Sequence, residues 1–350
     1  MEQQQKKSKL IYWILGVVLV LILVGAIFYL KQSNNQPQSN SDDQSTEKLK
    51  KLSFDKKGTT SDPFNDPRGP YYHKIFSASS SDGVTFTRGE EVVDHASVPD
   101  IVKTLDGTLF FYAVDGSSRS ISGVMVGRSK DNGKTWEIGS MRLKNNSNGT
   151  GGADPEAILL DDDKIRLFYV VMPLNKPPLD NSGTPISNGE GNKVMSATST
   201  DGINFTEESG VRFTSEKFVT DPDIVKIGST WFMYLAEGPK QTYTTSTDGL
   251  TFTYQGVIRD QGSVSKTVPL GSGQYRQFFC KNGISSATTT DGIKFSNELT
   301  SLAAKNDEII CDPTPVQIGT NWLMLFKSQT GSSAGNNNPP PLANPASPTN

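Results

Sequence analysis

Four short apolar segments begin with a proline that is flanked by one or two acidic residues. They start as Val98-Pro99-Asp100, Asp154-Pro155-Glu156, Asp221-Pro222-Asp223 and Asp312-Pro313. Residues two positions apart in an extended strand point the same way, so each segment presents these side chains to one side. Where such strands converge in a recess, carboxyl groups push each other's pKa values apart, and one becomes an acid while another becomes a base. Such a pair can hydrolyse a glycosidic bond with water.

A second phrase alternates with the first and predicts the elements that position these acids. It occurs five times, at Ser80–Phe86, Ser129–Trp136, Ser199–Phe205, Ser246–Phe252 and Thr289–Phe295. Each copy has a central turn of the Asp-Gly type, which is the strongest short signal for a β-hairpin. An aromatic residue three positions after the glycine begins the next strand and packs between layers. Five such hairpins indicate a repeat architecture.

Each repeat is typical of one four-stranded blade of a β-propeller. The proline segment is the inner strand, an aromatic-rich second strand follows it, and the Asp-Gly hairpin joins the third strand to the fourth. The blades begin near residues 98, 154, 221, 263 and 312, and the last one lacks its own hairpin. A spare hairpin at Ile75–Val92 completes that blade. We therefore predict an all-β fold, a five-bladed propeller of four-stranded blades that is closed by the N-terminal hairpin.

The N-terminus carries a membrane signal. Residues 10–30 are uncharged and almost wholly apolar, which matches the thickness of a bilayer core. Lysines precede this run, so the N-terminus is predicted to stay in the cytoplasm and the propeller to lie outside, while a cleaved signal peptide is the alternative. The predicted parts are a cytoplasmic N-terminus (1–9), a transmembrane helix (10–30), a flexible stalk (31–64), the propeller (65–330) and a disordered tail (331–350).

Composition restricts the partners and cofactors. The chain of 350 residues has a net charge of −3 and no long basic run in its body, which argues against a nucleic-acid partner. No four-ligand zinc set is visible. The acids offer the oxygen ligands that Ca²⁺ takes, but no spacing specifies a metal, so no cofactor is predicted. Cys280 and Cys311 form a disulfide if the domain is extracytoplasmic, or remain two buried thiols. The sequence carries no signal of the oligomeric state.

Two sets of residues carry a resemblance to known propellers. Ser129–Trp136 resembles the Asp-box of sialidases, and the Asp-Pro segments resemble the inner strands of glycoside hydrolase families 43 and 32, which include arabinanases, levansucrases and invertases. The resemblance covers about residues 71–330. It implies the five-bladed fold, a carbohydrate partner and glycosidase activity. In family 43, carboxylates at the starts of blades 1, 2 and 3 act as base, as pKa-tuning group and as acid.

These roles can be carried over to the matching positions. The tuning group falls on Asp154 and the acid on Asp221, whereas the base position falls on Val98, which cannot take a proton from water. We therefore expect Asp100, two positions further along the same strand, to serve as the base. Glu237, at the far end of the second strand of blade 3, is an alternative acid.

The other residues predicted to reach the mouth of the central channel are candidates for substrate binding. They are His95, Glu156, Asp223, Asp312, Tyr112 and Tyr234. Each has a structural alternative, because aspartates before proline cap backbone amides and aromatic residues of second strands fill cores. Two functions follow. The chain is a membrane-anchored, glycan-active enzyme, or it is a catalytically inactive propeller that binds a glycan or a protein at the same mouth.

Overall fold

The computed structural model describes residues 51–146, 152–171, 191–215, 217–305 and 307–330. The predicted transmembrane helix and disordered tail lie outside these residues. Within them, no helix is long and apolar enough to cross a bilayer. The described chain consists almost entirely of antiparallel strands, preceded by one short 3₁₀ turn at Pro70–Tyr72.

The strands form five sheets. The N-terminal hairpin consists of β1 (Lys74–Ser80) and β2 (Thr87–Asp94). Blade 1 contains β3 (Ala96–Lys103), β4 (Leu109–Asp115), β5 (Val124–Ser129) and β6 (Glu137–Ser140). Blade 2 contains β7 (Arg142–Lys144), β8 (Ala153–Leu159), β9 (Ile165–Val171), β10 (Lys193–Ser199), β11 (Asn204–Glu207) and β12 (Phe213–Thr214). Blade 3 contains β13 (Thr220–Ile227), β14 (Thr230–Glu237), β15 (Lys240–Ser246) and β16 (Thr253–Arg259).

Blade 4 contains β17 (Ser265–Gly271), β18 (Gln274–Cys280), β19 (Ile284–Thr289) and β20 (Ser296–Leu302). Blade 5 begins with β21 (Glu308–Ile318) and β22 (Asn321–Thr330), and the N-terminal hairpin completes it in the strand order β21-β22-β1-β2. The predicted five-bladed propeller, closed by the N-terminal hairpin, is therefore confirmed. Blade 2 differs from the prediction, because the short strands β7 and β12 enlarge its sheet to six strands.

Closure of the ring depends on one long antiparallel pairing. Strand β1 pairs with β22 in unbroken register, from Lys74 opposite Ser328 to Ser80 opposite Trp322. The inner strands β3, β8, β13, β17 and β21 contact one another in a closed circle. Because chain segments from opposite ends of the domain share one sheet, neither β1 nor β22 is left as an open edge that could pair with another molecule.

The Asp-Gly turns are held by local hydrogen bonds. In the first one, the Asp82 carboxylate accepts from the backbone N–H groups of Val84 and Thr85, at 2.8 and 3.0 Å, and from the Ser80 hydroxyl at 2.7 Å. The hydroxyl bond and two backbone bonds lower the pKa of Asp82 to about 2. Gly83 has a left-handed φ of 67°, and a Cβ there would collide with the Trp322 indole. These aspartates are therefore turn residues.

Aromatic residues of the turns pack against the neighbouring blade. Phe205, from the turn of blade 2, meets Tyr112 of blade 1 edge to face, with ring centroids 5.4 Å apart. The Tyr112 hydroxyl donates to the Gly202 carbonyl at 2.9 Å. Tyr234 of blade 3 repeats this contact with blade 4 by donating to the Gly292 carbonyl at 2.8 Å. Each turn thus joins two blades.

Part of the segment predicted as stalk lies against blade 1. The backbone N–H of Ser140 donates to the Ser53 carbonyl at 3.1 Å, and the N–H of Thr59 donates to the Ser117 carbonyl at 2.9 Å. Leu52 and Phe54 pack against the cores of the blades. Residues 52–59 therefore belong structurally to the propeller domain.

Candidate functional site

The inner strands begin with a repeated backbone irregularity at one end of the channel, which we call the mouth. The five equivalent residues have left-handed φ values, and we call them the mouth ring: Val98 (49°), Asp154 (47°), Asp221 (50°), Val264 (56°) and Asp312 (53°). Strand register shifts beside four of them, which marks a β-bulge that re-aims the side chain. Aspartate tolerates this conformation, but a β-branched valine is a conformational outlier there.

A second ring lies two residues further along each strand. This inner ring consists of Asp100, Glu156, Asp223, Lys266 and Thr314, all of which are buried. Residues of both rings line a recess of about 20 Å³. This space is sufficient for a water molecule and far below the several hundred Å³ of a typical ligand pocket. A ligand larger than water must therefore lie over the mouth ring and not between the rings.

Side chains of the inner ring join each blade to the next one. Asp100 accepts from the backbone N–H of Ala157 at 2.6 Å, and Glu156 accepts from that of Ile224 at 3.0 Å. Asp223 accepts from the N–H of Thr267 at 2.9 Å, and the Thr314 hydroxyl accepts from that of Ile101 at 2.8 Å. Buried backbone N–H groups require such partners, so these residues have a structural role at four of the five blade junctions.

The fifth junction explains the lysine in this ring. Lys266 of blade 4 cannot accept a hydrogen bond, and the equivalent position of blade 5 is Pro315, which has no N–H to donate. The Lys266 ammonium instead lies 2.7 Å from the Asp100 carboxylate and 2.9 Å from that of Glu156. Lys266 thus pairs two acids that the other junctions require.

Burial and neighbouring charges shift the pKa values of the inner-ring residues. Burial, followed by the charge of Asp100, raises the pKa of Glu156 well above its ordinary range. Burial also raises the pKa of Asp223. Although burial opposes it, the charges of Asp100 and Glu156 raise the pKa of Lys266, which keeps the ammonium charged.

The acids of the mouth ring make fewer hydrogen bonds and ion pairs than those of the inner ring. The Asp312 carboxylate contacts the Lys327 ammonium at 2.8 Å and accepts from the backbone N–H of Val98 at 3.2 Å. The Asp221 carboxylate accepts from the Thr220 hydroxyl at 2.6 Å. Burial and then the charge of Asp221 raise the pKa of Asp154 well above its usual range. Burial and then the charge of Asp312 raise the pKa of Asp221 to about 6.

The structure brings some of the predicted residues to the mouth. Asp100, Asp154 and Asp221 all line the recess, and so do two of the predicted substrate-binding acids, Glu156 and Asp312. Asp223 belongs to the inner ring and is completely buried. Asp100 is bound by Lys266, by the Thr314 hydroxyl at 2.8 Å and by a backbone N–H. Its role as a base stays a prediction, and in this structure both oxygens of its carboxylate contact these groups.

Other predicted residues lie away from the recess. Glu237 forms an ion pair of 2.6 Å with Lys217, and His95 stacks against Tyr71, with ring centroids 4.2 Å apart. Tyr112 and Tyr234, which were candidates for substrate binding, have the core role that the sequence analysis gave as the alternative. Both side chains are completely buried between blades, so neither ring has a face open to a ligand.

The sequence reasoning assigned no role to Lys266, Lys327 or Thr314. Alignment of the blades could have found Lys266 and Thr314, because each occupies the place of an acid two residues after a mouth-ring position. Lys327 ends the apolar run of β22, and only the fold shows that its ammonium reaches the mouth ring.

A disulfide joins Cys280 to Cys311, which selects between the alternatives that the sequence left open. It connects the end of β18 in blade 4 to β21 in blade 5. The backbone N–H of Asp312 donates to the Cys280 sulfur at 3.2 Å. The bridge therefore fixes the mouth-ring position of blade 5 against blade 4.

We predict that Lys266→Met will lower the free energy of unfolding at pH 7 by about 3–5 kcal/mol, because it leaves Asp100 and Glu156 buried without their cation. Urea denaturation measures this loss. Lys217→Met is the matched control, since it removes an ammonium from a pair in which the lysine is largely exposed, and it should cost less than about 1 kcal/mol. Equal losses in the two variants would contradict the central role of Lys266.

We also predict that the contribution of Asp221 to the free energy of unfolding falls as the pH rises from 5 to 7.5. The pKa of Asp221 is about 6 in the folded protein, above the unfolded value, so the folded state binds the extra proton at low pH and loses that advantage as pH rises through 6. The loss from this group is about 1 kcal/mol. Asp221→Asn should remove this contribution, so the change in the free energy of unfolding between pH 5 and 7.5 should differ from that of the unaltered protein by that amount, in the direction of greater stability at the higher pH. An unchanged slope in the variant would show that Asp221 ionises normally.

Solved structures provide comparisons for this fold. A protein of unknown function from Dyadobacter fermentans superposes with a TM-score of 0.52, at 16% identity, over 79% of this chain and 87% of that protein. A thermostable family-43 glycoside hydrolase gives a TM-score of 0.47, at 15% identity, over 66% and 88% of the two chains. An α-L-arabinanase from Penicillium chrysogenum, complexed with arabinobiose, gives 0.46, at 12% identity, over 68% and 75%.

Sequence comparison gives no such relatives. No protein-family model matches the chain, and no curated protein is similar to it in sequence. At the identities above, the structural likeness concerns the fold alone. The chain is thus a five-bladed β-propeller, the architecture that its sequence motifs predicted.

Proposed function

We propose that this chain binds carbohydrate over the mouth ring of its propeller. The observation that carries the proposal is the pair Asp154 and Asp221, which stand on neighbouring blades with raised pKa values. A protonated carboxyl group both donates and accepts hydrogen bonds, as does a sugar hydroxyl, and a neighbouring carboxylate adds strong acceptors. The recess beneath them holds no more than water, so the bound sugar lies across the mouth.

Binding fits the mouth better than hydrolysis. An inverting glycosidase needs a second carboxylate that can take a proton from the attacking water. Blade 1 offers Val98 at the mouth ring, and Asp100 below it is held by Lys266, Thr314 and the N–H of Ala157. The alternative acid, Glu237, is paired with Lys217. These contacts favour recognition of a glycan without cleavage.

Full-length protein in detergent micelles, applied to an array of immobilised glycans, tests this proposal. We expect binding to a restricted set of glycans and at least a tenfold loss of affinity in the Asp154→Asn/Asp221→Asn variant, because two carboxyl contacts are removed. Asp162→Asn is the control, since this aspartate is exposed on the turn between β8 and β9. Absence of glycan binding, or equal binding by the two variants, would refute the proposal.

One observation favours hydrolysis as a second candidate function. A carboxyl group with a pKa of about 6 is suited to donate a proton near neutral pH, and Asp221 has this property. In that reaction, water adds to the anomeric carbon, the leaving oxygen takes the Asp221 proton, and a base takes the proton of the water. Release of nitrophenol from aryl glycosides, lost in Asp221→Asn but not in Asp162→Asn, would support this function over simple binding.

The proposal includes the location of the domain. A single membrane helix at residues 10–30, with the N-terminus in the cytoplasm, would hold the propeller outside the cell membrane. The disulfide between Cys280 and Cys311 supports an extracytoplasmic domain, because such bonds persist in oxidising compartments and are rare in the cytosol.

Labelling of thiols in intact cells tests this topology. The chain has two cysteines, and both are in the disulfide. We expect a membrane-impermeant maleimide to label the protein in intact cells only after treatment with an impermeant phosphine reductant. The Cys280→Ser/Cys311→Ser variant is the control and should stay unlabelled. Labelling that requires cell lysis would place the domain inside.

A further inference from the structure

An aromatic cluster stands beside the mouth, on a surface that the mouth ring does not include. The 3₁₀ turn Pro70–Tyr72 leads into β1, whose first residues pair with the end of β2 and the end of β22. The start of β3 joins the same end, since the backbone N–H of Ala96 donates to the His73 carbonyl at 3.1 Å. The turn therefore lies at the mouth end of the propeller.

Two tyrosines and a histidine make up this cluster. The Tyr71 ring stacks on the His95 ring, with centroids 4.2 Å apart and planes inclined by 25°. Tyr72 meets Tyr71 edge to face at 5.3 Å and is 47% exposed. Tyr72 thus packs against a ring that is itself held by stacking. It can offer an apolar face to a ligand at a small cost in conformational entropy on binding.

Charged groups border the aromatic cluster. The Asp94 carboxylate, 53% exposed, lies 3.8 Å from His95 Nε2 and 3.8 Å from the Arg119 guanidinium. Arg119 is itself fixed, because it donates to the Asp115 carboxylate at 3.0 Å and to the carbonyls of Asp94 and His95 at 3.1 and 3.0 Å. No hydrogen bond among the described residues occupies the Asp94 carboxylate oxygens, so they remain able to accept from a ligand.

The cluster lies within reach of the mouth. His95 precedes the mouth-ring residue Val98 by three positions, which limits the distance between their Cα atoms to about 11 Å. An aromatic face bordered by a carboxylate matches the two surfaces of a sugar, whose C–H face is apolar and whose edge carries hydroxyl groups. A mouth ligand with more than one unit would extend over this surface.

We infer that Tyr72, Tyr71, His95 and Asp94 form a second carbohydrate subsite, which holds a sugar unit adjacent to the one over the mouth ring. This inference rests on the proposed function. The Tyr72 ring stacks on the C–H face of the sugar, and the Asp94 carboxylate accepts from its hydroxyl groups. The ligand class is consequently an oligosaccharide or polysaccharide, and monosaccharides fill only the mouth.

Glycans in defined chain-length series test the subsite. The full-length protein in micelles is applied to immobilised arabinose, xylose, glucose and N-acetylglucosamine oligomers of one to six units. We expect affinity to increase with length, and Tyr72→Ala to lower affinity for the longer chains about tenfold while leaving monosaccharide binding unchanged. Tyr72→Phe should retain the affinity because it keeps the ring, and Asp94→Asn should reduce it.

Tyr254→Ala is the matched control, since Tyr254 is 48% exposed and lies on β16, the outermost strand of blade 3. If Tyr72→Ala binds longer chains as well as Tyr254→Ala does, the subsite is refuted while the mouth proposal stands. If the unaltered protein binds none of the glycans, the proposed function fails, and the subsite fails with it. Loss of monosaccharide binding in Tyr72→Ala would also overturn the assignment to a separate subsite.

Discussion

One hydrogen bond, repeated around the channel, organises the interior of this propeller. At four junctions, the side chain of an inner-ring residue accepts a backbone N–H from the inner strand of the next blade. An N–H group buried without a partner is costly, so the fold needs an acceptor at each of these places. At the fifth junction, Pro315 presents no N–H, and the acceptor is replaced by Lys266. The architecture thus requires a hydrogen-bond acceptor at each of these four positions, and three of the four acceptors are acidic side chains.

This requirement divides the acids into two tiers. Asp100, Glu156 and Asp223 are occupied by backbone amides, hydroxyls and the Lys266 ammonium, which offsets the cost of burying like charges together. The mouth ring repeats the pattern with a different cation, because Lys327 lies against Asp312. Burial first, and the charge of a neighbouring mouth-ring carboxylate second, raise the pKa values of Asp154 and Asp221. Our proposal of carbohydrate binding therefore rests on blades 2 and 3.

The valines of the mouth ring show what determines the backbone conformation there. Val98 and Val264 hold the same left-handed backbone conformation as the three aspartates, although a β-branched residue is disfavoured there. The bulge is consequently imposed by the propeller and not by the residue that occupies it. At Val98, blade 1 therefore has this conformation without a carboxylate. This arrangement is consistent with a mouth that recognises a glycan without the full set of groups for cleaving it.

Sequence alone predicted the features that depend on neighbouring residues. The Asp-Gly turns follow from local hydrogen bonds such as those of Asp82, and closure follows from the spare hairpin before β3, which pairs with β22. The convergence of the Asp-Pro segments also followed, because the repeat places equivalent strand starts around one axis.

Only the tertiary structure decided which groups each of these side chains contacts. We expected Asp100 to serve as the base, and only the structure shows that it contacts a lysine from blade 4 and a hydroxyl from blade 5. Tyr112 and Tyr234 were candidates either for substrate binding or for the core, and the adjacent blades bury both completely. The pairing of Cys280 with Cys311 likewise depends on the contact between blades 4 and 5. Interactions between neighbouring residues thus determined the strands and turns of each blade. Partners on other blades, 42 to 214 residues away in sequence, determined the environment of Asp100, Glu156 and Asp223.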